Sequence, residues 1–435
     1  MYNNPVYNNR YENSTEQLKR AEIIIPLGSQ TFSKSKVVYP VGISPLFAQK
    51  AKGSYVWDID GNKYLDLVNS LAAVTLGHRN KRVDRAVKKQ MKRGVVFSLP
   101  GVLESEVAEL IVQTVPSAEM VRFAKNGTDA TSAAIRIARA YTNRDHIAFC
   151  GYHGWQDWYI GATNRNKGVP QEVSELTHKF IYNDLKSLKD IFEFYPNKVA
   201  CVIMEPMNSQ YPINNFLTEV KTICQKYGAV LIFDETITGY RFNKGGAQSE
   251  FNVIPDLTTL GKGIANGYPL SVVAGKKELM MEMENIFFSG TFGGELLSLA
   301  AAKEVVTMHL KHNISLQLTE IGKKISLGVE KLILEHNLDS VLKISGHPTW
   351  KFLNWSAIND MDIATIKTFF LQQMFSVGML VSSTHNLSLS ITDRQIEFIL
   401  NSYNAVFGDL RNVLEDGTLK DNLHADPIKP IFNLR

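Results

Sequence analysis

Cysteine is scarce in this chain. Only three occur in 435 residues, Cys150, Cys201 and Cys224, far apart and among apolar neighbours. An odd, scattered set without a CxxC pair excludes a disulfide framework and a cysteine-based zinc site. It fits buried free thiols in a reducing compartment. Long apolar runs are lacking too: no stretch approaches the roughly 20 apolar residues of a membrane-spanning helix. The polar start, Met1-Tyr2-Asn3-Asn4-Pro5, has no hydrophobic signal core. The expectation is a cytoplasmic protein without a membrane partner, whose Asn-x-Ser/Thr triplets, such as Asn126-Gly127-Thr128, are not glycosylation sites. No sign of charge dominates, since 47 basic residues face 43 acidic ones for a net +4. With no basic block or aromatic-basic stripe, nucleic acid is excluded as a partner. Internal repeats, low-complexity segments and a GxxxxGK[ST] phosphate loop are absent as well.

What is present is a chain with 44% hydrophobic residues, enough for a large core in two or three domains. Residues 1 to about 35 read as a polar arm with one helix near Thr15–Ile25. Gly53–Leu67 reads as a hairpin, with two alternating strands around Asp60-Gly61-Asn62. Arg82–Arg93 has the spacing of an amphipathic helix. From about residue 100 helices and strands alternate: a helix at Glu104–Val115, a strand at Met120–Ala124 and a long helix through Tyr141. Strands follow at His146–Cys150, Val199–Met204, Ala229–Phe233, Leu257–Leu260 and Leu270–Ala274. Near-continuous Val, Ile and Leu in several of them predicts strands covered on both faces of a largely parallel sheet. That is an α/β domain with active groups at strand ends. After a helix beginning at Glu295, the pattern from about 312 changes to a long helix (Ser315–His336), strands near Ser340–Ser345 and Trp350–Trp355, and further helices. The expected organisation is an arm and hairpin segment over 1–95 packing with the small domain, a large domain over 96–311 and a smaller α+β domain over 312–435.

The chemistry gathers at strand ends. Lys262 stands between Gly261 and Gly263 directly after a buried strand. A desolvated lysine amine, or one beside other positive charge, loses its proton near neutral pH and attacks carbonyls. Asn126-Gly127-Thr128 lies between a strand and a helix, where unpaired N–H groups and the macrodipole favour a phosphate. Gly151-Tyr152-His153-Gly154 offers an aromatic ring as a platform for another ring. Asp234 closes a central strand, and a carboxylate buried there needs a partner such as a protonated ring nitrogen. Ser289–Glu295 precedes a helix and offers a second phosphate contact. Each element also has a plain reading: a surface lysine in a glycine-rich turn, an ordinary helix cap at Thr128 or Asp129, a loop anchored by a buried tyrosine, an aspartate capping the next segment, a glycine-rich loop. Gly261–Gly267 imitates a dinucleotide fingerprint, but its third glycine falls one position late and the stretch does not follow the first strand. A phosphate cradle, a ring platform, a carboxylate for a ring nitrogen and a carbonyl-reactive lysine have one ligand in common, pyridoxal 5'-phosphate.

The set Asp58–Asp66, Asn126-Gly127-Thr128-Asp129-Ala130, Tyr152-His153-Gly154, Glu205-Pro206, Asp234–Arg241, Gly261-Lys262 and Thr291-Phe292-Gly293-Gly294 resembles the class III aminotransferases, fold type I of the pyridoxal-phosphate enzymes, in their glutamate-1-semialdehyde aminomutase-like branch. The resemblance runs from about Gly42 to the C-terminus. It implies a large domain with a mostly parallel, seven-stranded-type sheet and a smaller α+β domain. It also implies roles. Lys262 would bond to the cofactor aldehyde and then move the proton between substrate carbon and cofactor carbon. Asp234 would keep the pyridine nitrogen protonated, with His153 supporting it from behind. Tyr152 would stack on the ring, Gly127 and Thr128 would bind the phosphate, and Glu205 would shape the pocket. Thr291 would reach the phosphate of a neighbouring subunit in a homodimer with shared active sites.

The chain departs from the aminomutase in three places. Ser29-Gln30-Thr31-Phe32-Ser33-Lys34-Ser35 lacks the arginine that grips the substrate carboxylate there, and Phe292-Gly293-Gly294-Glu295-Leu296 replaces a Ser-Gly-Asn-Pro-like run. Ser382-Ser383-Thr384-His385-Asn386-Leu387 is also unlike it. The expectation is an aminotransferase that takes an amine from an amino acid, L-glutamate first, and delivers it to a keto or aldehyde acceptor. The missing arginine and the run Trp155-Gln156-Asp157-Trp158-Tyr159 point to a sugar-like acceptor. The alternatives are an aminomutase, an amino-acid racemase or epimerase, and a non-catalytic cofactor-binding homologue.

Overall fold

The computed structural model describes residues 10–358 and 360–429. The chain divides into two compact units. One holds residues 70–75 and 80–317; the other holds the described residues up to 69, 76–79 and those from 318 onward.

The first of these units is built on seven strands: β1 (Met120–Ala124), β2 (His146–Cys150), β3 (Thr177–Lys179), β4 (Val199–Met204), β5 (Val230–Glu235), β6 (Leu257–Leu260) and β7 (Ser271–Gly275). Their spatial order is β1-β7-β6-β5-β4-β2-β3. Strands β3, β2, β4, β5 and β6 run parallel. Strand β7 is antiparallel to both of its neighbours. This is the seven-stranded, mostly parallel α/β sheet that the resemblance implies.

The pleat sends alternate residues to opposite faces. Ile147, Phe149, Cys201, Ile203, Val230 and Ile232 pack on one side with Ala130, Ala133, Ala134 and Ala138 of helix α1 (Gly127–Thr142). Ala148, Val202, Met204, Leu231 and Phe233 pack on the other with Leu188, Phe192, Phe216 and Val220. Each such aliphatic or phenyl side chain contributes about 1.5–3 kcal/mol on burial. The alanine face of α1 lets the helix approach the sheet closely. Asn126 caps it in a box with Asp129, whose carboxylate accepts from the Asn126 N–H at 2.8 Å.

Two details differ from the sequence reading. Strand β3 is an additional edge strand of three residues, too short and too polar to show a pattern. Strand β5 runs to Glu235, so Asp234 lies within the strand, paired with Thr259 of β6.

In the other unit the hairpin forms as expected, from Tyr55–Asp58 and Lys63–Asp66 in antiparallel register. Ala48–Lys52 and Met379–Leu380 extend it to four strands. A second sheet joins Leu342–His347, Trp350–Trp355 and Thr384–Asn386, and the long helix Asp393–Glu415 belongs to the same unit. The arm helix Glu12–Ile24 is fixed within this unit, where Asp60 accepts from the N–H groups of Asn13 and Ser14 at 2.7 and 3.0 Å. All three cysteines are free thiols, with Cys201 and Cys224 buried. Among the described residues no helix is long and apolar enough to cross a membrane. None of their His, Cys, Asp or Glu clusters could hold a metal ion.

Candidate active site

The parallel strands β2, β4, β5 and β6 release the chain at one edge of the sheet. Gly151 follows β2, Glu205 follows β4, Asp234 is the penultimate residue of β5 and Lys262 stands two residues after β6. The carboxyl ends of parallel strands are where open α/β sheets collect ligand-binding groups.

Asp234 is buried, and every bond to it is short. Its Oδ1 accepts from the hydroxyls of Thr236 at 2.5 Å and Thr259 at 2.9 Å and from the Thr236 N–H at 3.1 Å. His153 Nδ1 lies 2.9 Å from Oδ2. Burial pushes this carboxyl up, but the hydrogen bonds and charge of His153, together with Thr236 and Thr259, outweigh it. The pKa of Asp234 therefore lies below its ordinary value. The site maintains an ionised carboxylate where an isolated one would neutralise.

Lys262 opens a short 3₁₀ turn, Lys262–Ala265, in the left-handed region at φ 44°. Burial lowers the pKa of its ammonium. Asp234 and Glu205 pull it back up, and Arg241 pushes it down again. The amine thus sits in a field made by three fixed charges, with the apolar surroundings dominant.

Glu205 ties two loops together. Its Oε2 accepts from the Tyr152 N–H at 3.1 Å and from Asn208 at 2.7 Å, and a Cβ at Gly151 would lie 2.6 Å from it. Burial raises its pKa. Tyr152 is 50% exposed and meets the buried Tyr159 edge to face at 5.6 Å. Thr128 Oγ1 accepts from the Trp155 N–H at 3.2 Å, so the loop after β2 closes over the start of α1. Gly154 makes that closure possible, since a side chain there would collide with the Thr128 hydroxyl. Thr236 is the hub. Its methyl carbon would lie 3.0 Å from a Cβ at Gly127 and 3.1 Å from one at Gly261. Gly127, Thr128, Tyr152, Glu205, Asp234 and Lys262 are therefore brought together.

Thr291 is not brought to this cluster. It is exposed in a cleft of about 400 Å³ with Lys125, Asp129, Ser132 and Arg136. The run Trp155–Tyr159 splits by role. Trp158 and Tyr159 are core residues, Trp158 donating to Ser132 and Tyr159 to the Gly151 carbonyl, while Trp155 is 64% exposed. His385 is buried in the other unit, 2.5 Å from the Tyr403 hydroxyl. The sequence reading assigned no role to Thr236, Thr259 or Asn208. Thr259 had one signal, a hydroxyl placed in the middle of a strand whose other residues are buried.

The chain matches the family model for aminotransferase class-III over residues 38–403. An omega-transaminase from Sphaerobacter thermophilus is 26% identical, with 93% of this chain and 100% of that one covered at a TM-score of 0.84. The FumI protein of Sphingopyxis sp. MTA144, solved in its PLP internal aldimine form, is also 26% identical, covering 96% and 99% at 0.86. A glutamate-1-semialdehyde aminomutase from Pseudomonas aeruginosa PAO1 shares the fold at 19% identity, covering 93% and 96% at 0.83. The match spans most of the chain, which therefore belongs to the class III aminotransferases, pyridoxal-phosphate-dependent enzymes of fold type I.

Proposed function

We propose that this enzyme transfers an amino group from L-glutamate to a polar keto or aldehyde acceptor, and that Lys262, Asp234, Tyr152, Glu205, Gly127 and Thr128 form its cofactor site. The observation that carries the reading is the ionised Asp234, fixed by His153, Thr236 and Thr259 in the cluster that also contains Lys262.

The residues present fit pyridoxal phosphate. Asp234 supplies the negative charge that a pyridinium nitrogen needs. At an effective dielectric of about 20, unit charges 4 Å apart attract by roughly 4 kcal/mol. The first N–H groups of α1 have no partner within their helix and suit a phosphate. Gly127 leaves space there because its absent Cβ would press on Thr236. Tyr152 presents a half-open ring as a platform. When bound, the cofactor supplies an electron sink for the carbanion at the amine-bearing carbon. The chain supplies the rest: Lys262 Nζ takes and returns the proton, Asp234 holds its charge, and Glu205 with Asn208 fixes the Tyr152 loop. Tyr159 sets the edge of the platform.

A sugar-like acceptor rests on the missing arm arginine and on the exposed Trp155; the buried Trp158 and Tyr159 lend it nothing. Thr291, exposed beside Lys125, is free to serve a second copy of the chain in a homodimer with shared sites. The test is the visible spectrum of the purified protein before and after L-glutamate. A yellow band that glutamate bleaches to the pyridoxamine form supports the reading, and keto-sugars would be screened next as acceptors. A band indifferent to glutamate and alanine favours an aminomutase or racemase. A colourless protein that takes up no cofactor overturns the site.

A further inference from the structure

Asn69, Ser70, Leu71 and Ala72 have φ of 44°, 53°, 59° and 70° in succession. Residues with a Cβ visit this left-handed region singly, because the Cβ crowds the following carbonyl. A whole left-handed turn without glycine persists only where its surroundings over-determine it, and such segments concentrate at functional sites.

The end of the turn is pinned by a buried cation. Arg241 donates from Nη2 to the Ala72 carbonyl and to the Thr75 hydroxyl, each at 3.2 Å. Thr75 is itself buried and closes the space over Gly263, where any Cβ would collide with its hydroxyl. Gly263 is the neighbour of Lys262, whose own backbone is left-handed. A continuous set of contacts therefore leads from the turn, through Arg241 and Thr75, to the backbone beside Lys262. Arg241 also contributes through its field. The charged groups acting on the amine are Asp234 from β5, Glu205 after β4, and Arg241.

We propose that Arg241 and Thr75, together with the left-handed turn they anchor, are positioning residues for Lys262: they hold the Gly261–Gly263 backbone in place and set a fixed positive charge beside the amine. This rests on the reading of Lys262 as the residue that bonds the cofactor. It adds a requirement for that residue beyond the groups at the strand ends.

The test uses the holoenzyme with Arg241→Gln, Arg241→Lys, Thr75→Val and Thr75→Ser. The first readout is the pH midpoint of the visible absorbance of the bound cofactor. Loss of a neighbouring positive charge disfavours the protonated form less, so Arg241→Gln is expected to give a midpoint about one pH unit higher, with Arg241→Lys near wild type. The second readout is the kcat-against-KM split. Thr75→Val keeps the volume and removes the hydroxyl, and is expected to lower kcat about tenfold with the glutamate KM little changed, while Thr75→Ser restores it. Should Arg241→Gln fail to fold, the Thr75 pair decides. A wild-type midpoint in folded Arg241→Gln, or wild-type kcat in Thr75→Val, overturns the proposal. Lys262→Ala separates the two failures: if that variant keeps the wild-type visible band, the reading of Lys262 is at fault rather than the role of Arg241 and Thr75.

Discussion

The His153 imidazole bridges two acceptors, with Nδ1 2.9 Å from Asp234 Oδ2 and Nε2 3.1 Å from the Cys150 carbonyl. Each ring nitrogen thus faces an oxygen acceptor within hydrogen-bond reach. The ring is packed between Trp158, stacked at 6.1 Å, and the edges of Phe149 and Tyr159, so it cannot turn away. His153 is thus a rigid donor behind the carboxylate.

Removing that donor makes activity sensitive to acid. Asp234 sits below its ordinary pKa, so its charge and the stability tied to it are present above the usual carboxylate range and are lost as pH falls through the folded-state value. In His153→Phe burial is left less opposed and the pKa rises. The acidic limb of the pH–rate profile should move to higher pH. An unmoved limb would mean that Thr236 and Thr259 suffice.

Asp234→Asn should release the cofactor. Truncating one member of a buried, hydrogen-bonded charge pair costs about 2–5 kcal/mol, which is at least tenfold in affinity. Equilibrium titration with pyridoxal phosphate, followed by absorbance or tyrosine fluorescence, reads this directly. Unchanged affinity together with near-normal turnover would show that the ring nitrogen lies elsewhere.

Lys262→Ala should abolish turnover and leave the fold intact. The lysine's ammonium is disfavoured by burial, so the loss removes no stabilising charge. Thermal unfolding should stay within a few degrees of wild type, and pyridoxal phosphate should still bind through the remaining groups. A collapse of the melting temperature would show that the lysine is structural.

Gly154→Ala should damage the phosphate end of the site. Gly154 has φ 112°, and a Cβ there would strike the Thr128 hydroxyl. Strain at such positions costs of order 1–3 kcal/mol, which chemical denaturation would register as a lower midpoint. Adding Thr128→Ser would not relieve it, because serine retains the hydroxyl and Cβ that the new methyl would strike. A neutral Gly154→Ala would mean that the loop after β2 moves aside freely.

The sheet was legible because its central strands advertise themselves. Val199–Met204 is buried at every position, and no loop in water keeps such a run. Asp234 and Lys262 were legible as polar residues directly after or within such runs. What stayed hidden depends on neighbours in space. Thr177–Lys179 is a strand because β2 lies beside it, and nothing in three mixed residues says so. Thr236 and Thr259 act because they converge on one carboxylate oxygen, one from the turn after β5 and one from β6. Asn69-Ser70-Leu71-Ala72 contains no glycine, so beyond Asn69 its left-handed course runs against local preference; Asp66 holds the Asn69 N–H and Arg241 holds the Ala72 carbonyl.

The left-handed backbone at Ser70, Leu71, Ala72 and Lys262 sets folding and turnover at odds in any population of variants. Glycine takes that conformation without the roughly 1–2 kcal/mol per residue that other side chains incur. A library selected only for resistance to heat should accumulate glycine at these four positions. One selected for amine transfer should keep lysine at 262 and oppose the drift at its neighbours in proportion to how closely each governs that side chain. Deep sequencing of the two libraries would map the demands of the chemistry against those of the fold, residue by residue.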